Sequence, residues 1–430
     1  MQACVAPAPA PTGQEPRPRI EIADIFRAHG EAYRSSHALT SAERRVMRNI
    51  ETCRTAVLGG HLDVCDTCGV VRVSYNSCRN RHCPKCQSLR QAQWIAQRLE
   101  RVLPTQHFHV VFTIPQELKP LALRNRAFFF NLLFAAASST LLELGHDPKR
   151  VGGLLGITAI LHTWTRTLDF HPHVHCIVTG GGLSADGTQW LPAGRGRFLF
   201  PIEVMRRLLR GKLLAGLALA RERGQLKFDG PCAHLADPLA FATLKDDLYG
   251  KEWVVYCKPP FGGAEQVFKY LGRYTHRVGI SNQRLIDFDE RGVTFFTKDG
   301  ATATLAPDEF IRRFLLHVLP RGFVKIRHFG LLAPSNVNTK LQAARRLLDP
   351  LPDLDAPLAG VSTVAALAAA ADKANEPPPA ATWRDLFLSL TGIDLARCKA
   401  CGRGALIRLP LSHDFSPPTP APSSAVPNTS

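Results

Sequence analysis

His171-Pro172-His173-Val174-His175 runs into the apolar Cys176-Ile177-Val178 and then into Gly180-Gly181-Gly182. The pattern reads as a β-strand, and a strand sends successive side chains to opposite faces. His173 and His175 therefore project from one face, two imidazoles side by side on a rigid element: two-thirds of a metal site. Further along, Tyr270-Leu271-Gly272-Arg273-Tyr274 carries two phenols at i and i+4, one helical turn apart. Histidines that hold a metal, together with tyrosines on a helix, point to an enzyme that cuts a phosphodiester and keeps one end covalently attached.

Outward from the histidine strand, residues 156–168 read as a second strand, rich in Ile, Thr and Trp. A hairpin turning near Asp169 sets His162 opposite His175 on the same face. His162 is the expected third ligand; a one-residue slip would turn it away, and Asp169 and His276 are the alternatives. Three imidazoles also suit zinc. In a phosphodiester reaction the useful ion is Mg²⁺ or Mn²⁺, which binds non-bridging oxygens and offsets developing charge.

The surrounding pattern gives the fold class. His107-Phe108-His109-Val110-Val111-Phe112-Thr113 reads as a strand ended by Pro115. An apolar helix follows at about 124–144, then the two strands above, a helix near 202–223 and a short strand at 252–257. This order predicts an α+β, ferredoxin-like domain with an antiparallel sheet. The tyrosine helix begins near Gly263, residues 284–305 read as a β-meander, and 307–318 as a helix opening on Asp308 and Glu309. The apolar run 128–142 is interrupted by Asn131, Ser138, Ser139 and Thr140, so it reads as a buried helix and no membrane is expected.

Upstream, Ile22, Ile25 and Phe26 share a helical face, and Thr40 with Glu43 forms a capping box for a second helix. A further helix is expected at 88–101. The domain reading is a disordered 1–20, a helical zinc-binding and DNA-binding domain at 21–101, a nuclease domain at 102–348, a linker with a degenerate CxxC at 349–411, and a disordered tail at 412–430. Residues 1–20 carry no apolar core of a secretory signal.

Cys65-x2-Cys68 and Cys83-x2-Cys86 are two knuckles of the kind that closes a tetrahedral Zn²⁺ site, a zinc-ribbon-like arrangement. A four-thiolate site has no open position, so its expected role is folding and DNA docking. Cys53, His61, Cys78 and His82 lie around the same cluster as candidates for a second zinc, with His82 or Cys78 alternatively packed. Cys398-x2-Cys401-Gly402 is half a ribbon with no following pair, and no metal is assigned to it.

The charge balance names the partner class. The 430 residues hold 53 Lys+Arg against 36 Asp+Glu, a net charge of +17. Such a surplus points to nucleic acid. Hydrophobic residues make up 45%, enough for a sizeable core. From Phe310 to Leu348 there is no acid, and Arg312, Arg313, Lys325 and Arg327 are interleaved with Phe314, Phe323 and Phe329. This reads as a phosphate-binding groove with base-stacking rings, or as a solvated face over a Phe/Leu core. Lys269, Arg273, Arg277 and Arg284 surround the tyrosines; cations there favour phenolate and attract phosphate.

Taken together, these residues resemble the rolling-circle transposases of the insertion-sequence-91 family: two-tyrosine HUH (His–hydrophobic–His) nucleases with an N-terminal zinc module. The resemblance runs from about Ile22 to Leu341. It rests on 53–61, on Tyr75-Asn76-Ser77-Cys78-Arg79-Asn80-Arg81-His82-Cys83-Pro84-Lys85-Cys86, on 171–175 and on 270–282. Thr165, where a smaller residue is expected, departs from it.

The resemblance implies an enzyme that nicks and joins single-stranded DNA at transposon ends and targets. One tyrosine would leave a 5′-phosphotyrosine and a free 3′-OH, and the second would permit strand exchange without ATP. His173 and His175 carry over as metal ligands, Tyr270 and Tyr274 as nucleophiles, and Cys65, Cys68, Cys83 and Cys86 as zinc ligands. The setting is the bacterial cytoplasm, on the nucleoid. The rivals are a replication initiator or relaxase with the same chemistry, and a non-catalytic zinc-dependent DNA-binding regulator.

Overall fold

The computed structural model describes residues 20–86, 98, 101–194, 198–258, 279–297, 300–349, 385, 388 and 394–411. The chain opens with α1 (Ile22–Ser36) and α2 (Ser41–Thr52). The Thr40 hydroxyl accepts from Glu43 N at 3.2 Å, and the Glu43 carboxylate accepts from Thr40 N at 2.8 Å, so the capping box is closed in both directions. A hairpin of β1 (Gly60–Cys65) and β2 (Val71–Tyr75) follows.

The central layer starts at β3 (His107–Thr113), continues through α3 (Lys119–Arg124) and the long α4 (Arg126–His146), and returns as β4 (Leu154–Trp164) and β5 (Phe170–Leu183). The short β6 (Trp190–Pro192) pairs with the end of β5. Then come α5 (Ile202–Glu222), α6 (Pro238–Gly250) and β7 (Val255–Lys258). The strands lie side by side in the order β4-β5-β3-β7, all antiparallel. In chain order this is the second, third, first and fourth strand of a β-α-β-β-α-β unit, the ferredoxin-like arrangement.

Strand alternation divides the sheet chemically. Phe108, Val110, Phe112, Ile157, Ala159, Leu161, Val174, Cys176 and Val178 are at most 1% exposed. They pack beneath Phe129, Phe130, Leu133 and Phe134 of α4 and Met205, Leu209 and Leu213 of α5. Each such Val, Ile, Leu, Phe or Met side chain contributes roughly 1.5–3 kcal/mol by leaving water. The intervening residues, His109, Thr158, Ile160, His162, His173 and His175, face the other way. By length and composition α4 could cross a membrane; here its apolar residues form the core over the sheet.

Beyond β7 the described chain resumes as a meander, β8 (Leu285–Phe288), β9 (Val293–Phe296) and β10 (Thr302–Leu305), then α7 (Pro307–Leu316). β11 (Ile326–Gly330) adds a strand outside β4, α8 (Lys340–Leu348) follows, and β12 (Leu406–Pro410) pairs with β1. A second core joins the N-terminal helices to this region: Ile22, Ile25, Phe26 and Met47 pack with Phe295, Phe310, Ile311 and Phe314. Phe26 and Phe314 meet edge-to-face at 5.3 Å.

Several sequence expectations need adjusting. The strand expected over 156–168 ends at Trp164, because residues 165–169 form a turn. There Thr165 N donates to Asp169 O at 3.0 Å and the Thr167 hydroxyl to the Asp169 carboxylate at 2.6 Å. α6, β11 and β12 were not anticipated. Apart from Arg98 and Arg101, the helix expected at 88–101 lies outside the described residues. So do the tyrosine helix and residues 350–382 of the expected linker.

Candidate metal centres and nucleic-acid site

β4 and β5 pair with His162 opposite His173, and with Ile160 opposite His175. The expected partner of His162 was His175; the register differs by two residues, and an even shift leaves His162 on the same face. One ring nitrogen from each of His162, His173 and His175 lies within 4.8 Å of the others. Trp164 stacks on the His162 ring at 4.7 Å and closes one side.

The His173 tautomer follows from its partner. His173 Nδ1 lies 2.7 Å from His171 O, so it carries the hydrogen and Nε2 keeps its lone pair. His175 Nδ1 lies 2.8 Å from His109 Nε2. With His175 donating this bond, its Nε2 too is a ligand atom, oriented from behind. Burial holds His173 down at about 4 and His175 well below the usual imidazole value, so both are neutral near pH 7. The donor set fits a divalent ion with open positions, and the immediate surroundings are basic rather than acidic, since Lys258 pairs with His109 on the same face. His109 was not anticipated as a partner, although His107-Phe108-His109 shows the same alternation as 173–175.

Of the two alternative third ligands, only Asp169 lies among the described residues, and it is not in this group. Asp169 is engaged by Thr167 and by Arg313 at 2.8 Å. His276 lies outside the described residues, as do Lys269, Tyr270, Arg273, Tyr274 and Arg277.

The basic run does more inside the protein than expected. Lys325 is 7% exposed, and burial, with Arg81 beside it, brings its ammonium down to about 7. It does not face solvent as a phosphate ligand. Arg327 lies over the Phe134 and Phe323 rings at 4.4 and 5.1 Å and donates to Asn131. Arg313 is held by Glu309, Asp169 and Thr167 O. Arg312 is exposed and paired with Glu309. Phe314 and Phe323 are buried core rings rather than stacking platforms.

The cysteines sort differently from the expected set. Cys65, Cys68, Cys83 and Cys86 do not come together. Cys83 and Cys86 join Cys53 and Cys78, and Cys65 and Cys68 join Cys398 and Cys401; each set of four lies within 4.8 Å. The hairpin β1–β2 separates the two knuckles, and its tip carries Cys65 and Cys68 away from Cys83. The pair at 398 and 401, given no metal from sequence, is therefore a full partner.

His61 and His82 belong to neither set. His61 Nε2 lies 3.7 Å from Asp63. His82 is 6% exposed; its Nε2 accepts from Leu319 N at 3.1 Å, and burial drives its pKa down to about 3. Beside it, Arg81 donates to Phe323 O at 2.7 Å. The loop carrying Cys78 and Cys83 thus docks on the chain that follows α7.

Known families match the chain in two separate stretches. A family model described as "Transposase zinc-binding domain" matches residues 25–114, and one described as "Putative transposase" matches 156–340. The chain is 45% identical over 405 residues to "Putative transposase y4qJ" of Sinorhizobium fredii, covering 93% of this chain and 97% of the relative. It is 31% identical over 303 residues to "Transposase for insertion sequence element IS801" of Pseudomonas savastanoi pv. phaseolicola, covering 69% and 71%. No solved structure matches. The zinc-binding match, the transposase match and the two relatives, one of them near full length, together place this chain in the insertion-sequence-91 family of transposases.

Proposed function

We propose that this transposase nicks and rejoins single-stranded DNA at the ends of its element, by rolling-circle transposition through a 5′-phosphotyrosine. The observation that supports this most is the convergence of His162, His173 and His175 on the face of the sheet away from α4 and α5. A Mg²⁺ or Mn²⁺ ion held there would draw charge from the non-bridging phosphate oxygens.

The chain's own groups do the rest. The phenol oxygen of Tyr270 or Tyr274 loses its proton to solvent and attacks phosphorus. An O–P bond forms to the tyrosine, the P–O3′ bond breaks, and the 3′ oxygen leaves and takes up a proton. The second tyrosine serves the second cleavage, and attack by a free 3′-OH on the phosphotyrosine reverses the chemistry to join strands. The bond energy is kept, so no nucleotide cofactor is consumed.

The points where the described chain leaves and resumes around the tyrosine segment favour this reading. Lys258, the last described residue before it, is paired with His109 on the histidine face. Gly279, the first after it, lies against Leu168 and His317, and the Thr163 hydroxyl is 3.2 Å from His317 Nδ1, one residue from His162. Lys269, Arg273, Arg277 and Arg312 are proposed to steer the phosphate backbone. The Cys53 centre is proposed as structural zinc. The enzyme would work on DNA in the bacterial cytoplasm.

The test is incubation with single-stranded oligonucleotides from the flanking element ends in Mn²⁺. A covalent protein–DNA adduct is expected in wild type, absent in Tyr270→Phe/Tyr274→Phe and in His173→Ala. Persistence of the adduct in the double tyrosine variant would end the proposal.

A further inference from the structure

We propose that Cys65, Cys68, Cys398 and Cys401 hold a second zinc ion, distinct from the Cys53 centre, and that it fastens the C-terminal segment onto the N-terminal hairpin. The four residues come from opposite ends of the chain, with Cys68 and Cys398 separated by 330 positions.

The geometry is that of a zinc cage. Cys65 Sγ lies 3.7 Å from Cys401 Sγ, and Cys68 Sγ 3.7 Å from Cys398 Sγ. A tetrahedron with Zn–S bonds of about 2.3 Å has edges of about 3.8 Å. A disulfide would bring one pair to about 2.05 Å and leave the other two thiols without a role.

Both halves are built as knuckles of one design. Each is Cys-x-x-Cys-Gly, and Gly69 and Gly402 share the same left-handed backbone, φ +69° and +68°. Gly69 N donates to Cys65 O at 3.1 Å, and Gly402 N to Cys398 O at 2.9 Å. Each knuckle also aims an amide at a sulfur: Cys68 N at Cys65 Sγ, 3.4 Å, and Gly404 N at Cys401 Sγ, 3.3 Å. Amides directed at sulfur stabilise thiolates, which is the form that binds zinc.

The strands continue the pairing away from the sulfurs. β12 runs antiparallel to β1 from Cys65 opposite Leu406 to His61 opposite Pro410, making β1 the middle strand of a three-stranded ribbon. Arg408 bonds Asp63 at 3.1 Å, and Ala405 N bonds the Asp66 carboxylate at 2.9 Å. Without the C-terminal segment β1 would be a bare edge, and Asp63, 8% exposed, would lose this guanidinium. The entropy of closing a long loop rises only logarithmically with its length, so the ion can offset it. The ribbon is thus assembled from both ends of the protein. This inference is independent of the nuclease chemistry.

The experiment is elemental analysis of purified full-length protein, paired with alkylation of the native holoprotein read by mass spectrometry. Two zinc ions per chain are expected, falling to one in Cys398→Ser/Cys401→Ser. In wild type, Cys65, Cys68, Cys398 and Cys401 should resist iodoacetamide until a chelator is added. Alkylation needs only wild-type protein, so it decides the matter even where the double variant does not fold. One zinc per chain with Cys398 and Cys401 alkylated as fast as free thiols overturns the proposal. So does a disulfide in place of protected thiols, or two zincs retained in the double variant.

Discussion

His109 Nε2 stands 2.8 Å behind His175 Nδ1, with the two rings nearly parallel at 13°. His109 is not one of the three imidazoles that share the candidate metal position; it orients one that is. Partners of this kind typically change metal affinity 10–100-fold. His109→Ala should weaken Mn²⁺ binding by about that factor in calorimetric titration of metal-stripped protein. His109→Gln, which keeps an acceptor, should recover part of it. Wild-type affinity in His109→Ala would show that His175 needs no support.

Acid should destabilise the fold well before carboxylates protonate. Burial holds His82 and His317 down at about 3, and His107 and His328 at about 4. Above an unfolded value of about 6.5 these rings are neutral in both states and contribute no slope. Below it the unfolded chain takes up protons that the folded one refuses, so stability drops as pH falls from about 6.5 toward 4. Urea midpoints measured from pH 7.5 to 4.5 should decline through this window, and less steeply in His317→Gln. A flat profile contradicts the assignment.

Cys83 is 1% exposed and sits in the loop whose Arg81 and His82 dock on the chain after α7. Cys83→Ser should release zinc and loosen that docking. Structural thiolate sites of this type contribute on the order of 10 kcal/mol, so the loss should be severe. Hydrogen exchange should quicken around Leu319 and Phe323 as well as in α1 and α2. Unchanged protection at Leu319 would mean that the docking stands without the metal.

Gly330 ends β11 with φ +61°, and a Cβ there would fall 1.8 Å from Leu155 O. Gly187 has φ +76° with nothing within 4 Å. Gly187→Ala should lose only the backbone strain, about 1 kcal/mol. Gly330→Ala must also push β11 off β4, and its denaturation midpoint should fall clearly further. Equal losses would show that the strand gives way freely.

The parts of this fold visible in the sequence are those with a local period. Alternation along 107–113 and 173–178 named the strands and their two faces, and the face assignment for His162 survived an error of two residues in register because parity, not exact pairing, decides it. The cysteine partition was not local. Two knuckles close together in sequence look like natural partners, yet the rigid hairpin β1–β2 holds Cys65 and Cys68 apart from Cys83 and Cys86. A signal was present: both Cys65-x2-Cys68 and Cys398-x2-Cys401 are followed by Gly, and Cys53 and Cys78 were left over as a pair for the other site. Lys325 misled for a different reason, since the absence of acids in a segment says nothing about which cations the core encloses.

β5 is hydrogen-bonded along both edges, to β4 on one side and β3 on the other. Its imidazoles therefore ride on the strand that is last to fray, and opening them would mean unzipping the sheet from within. Under the chemistry proposed above the anvil is stationary, and the stroke that brings phosphorus and nucleophile together is made by what arrives at it.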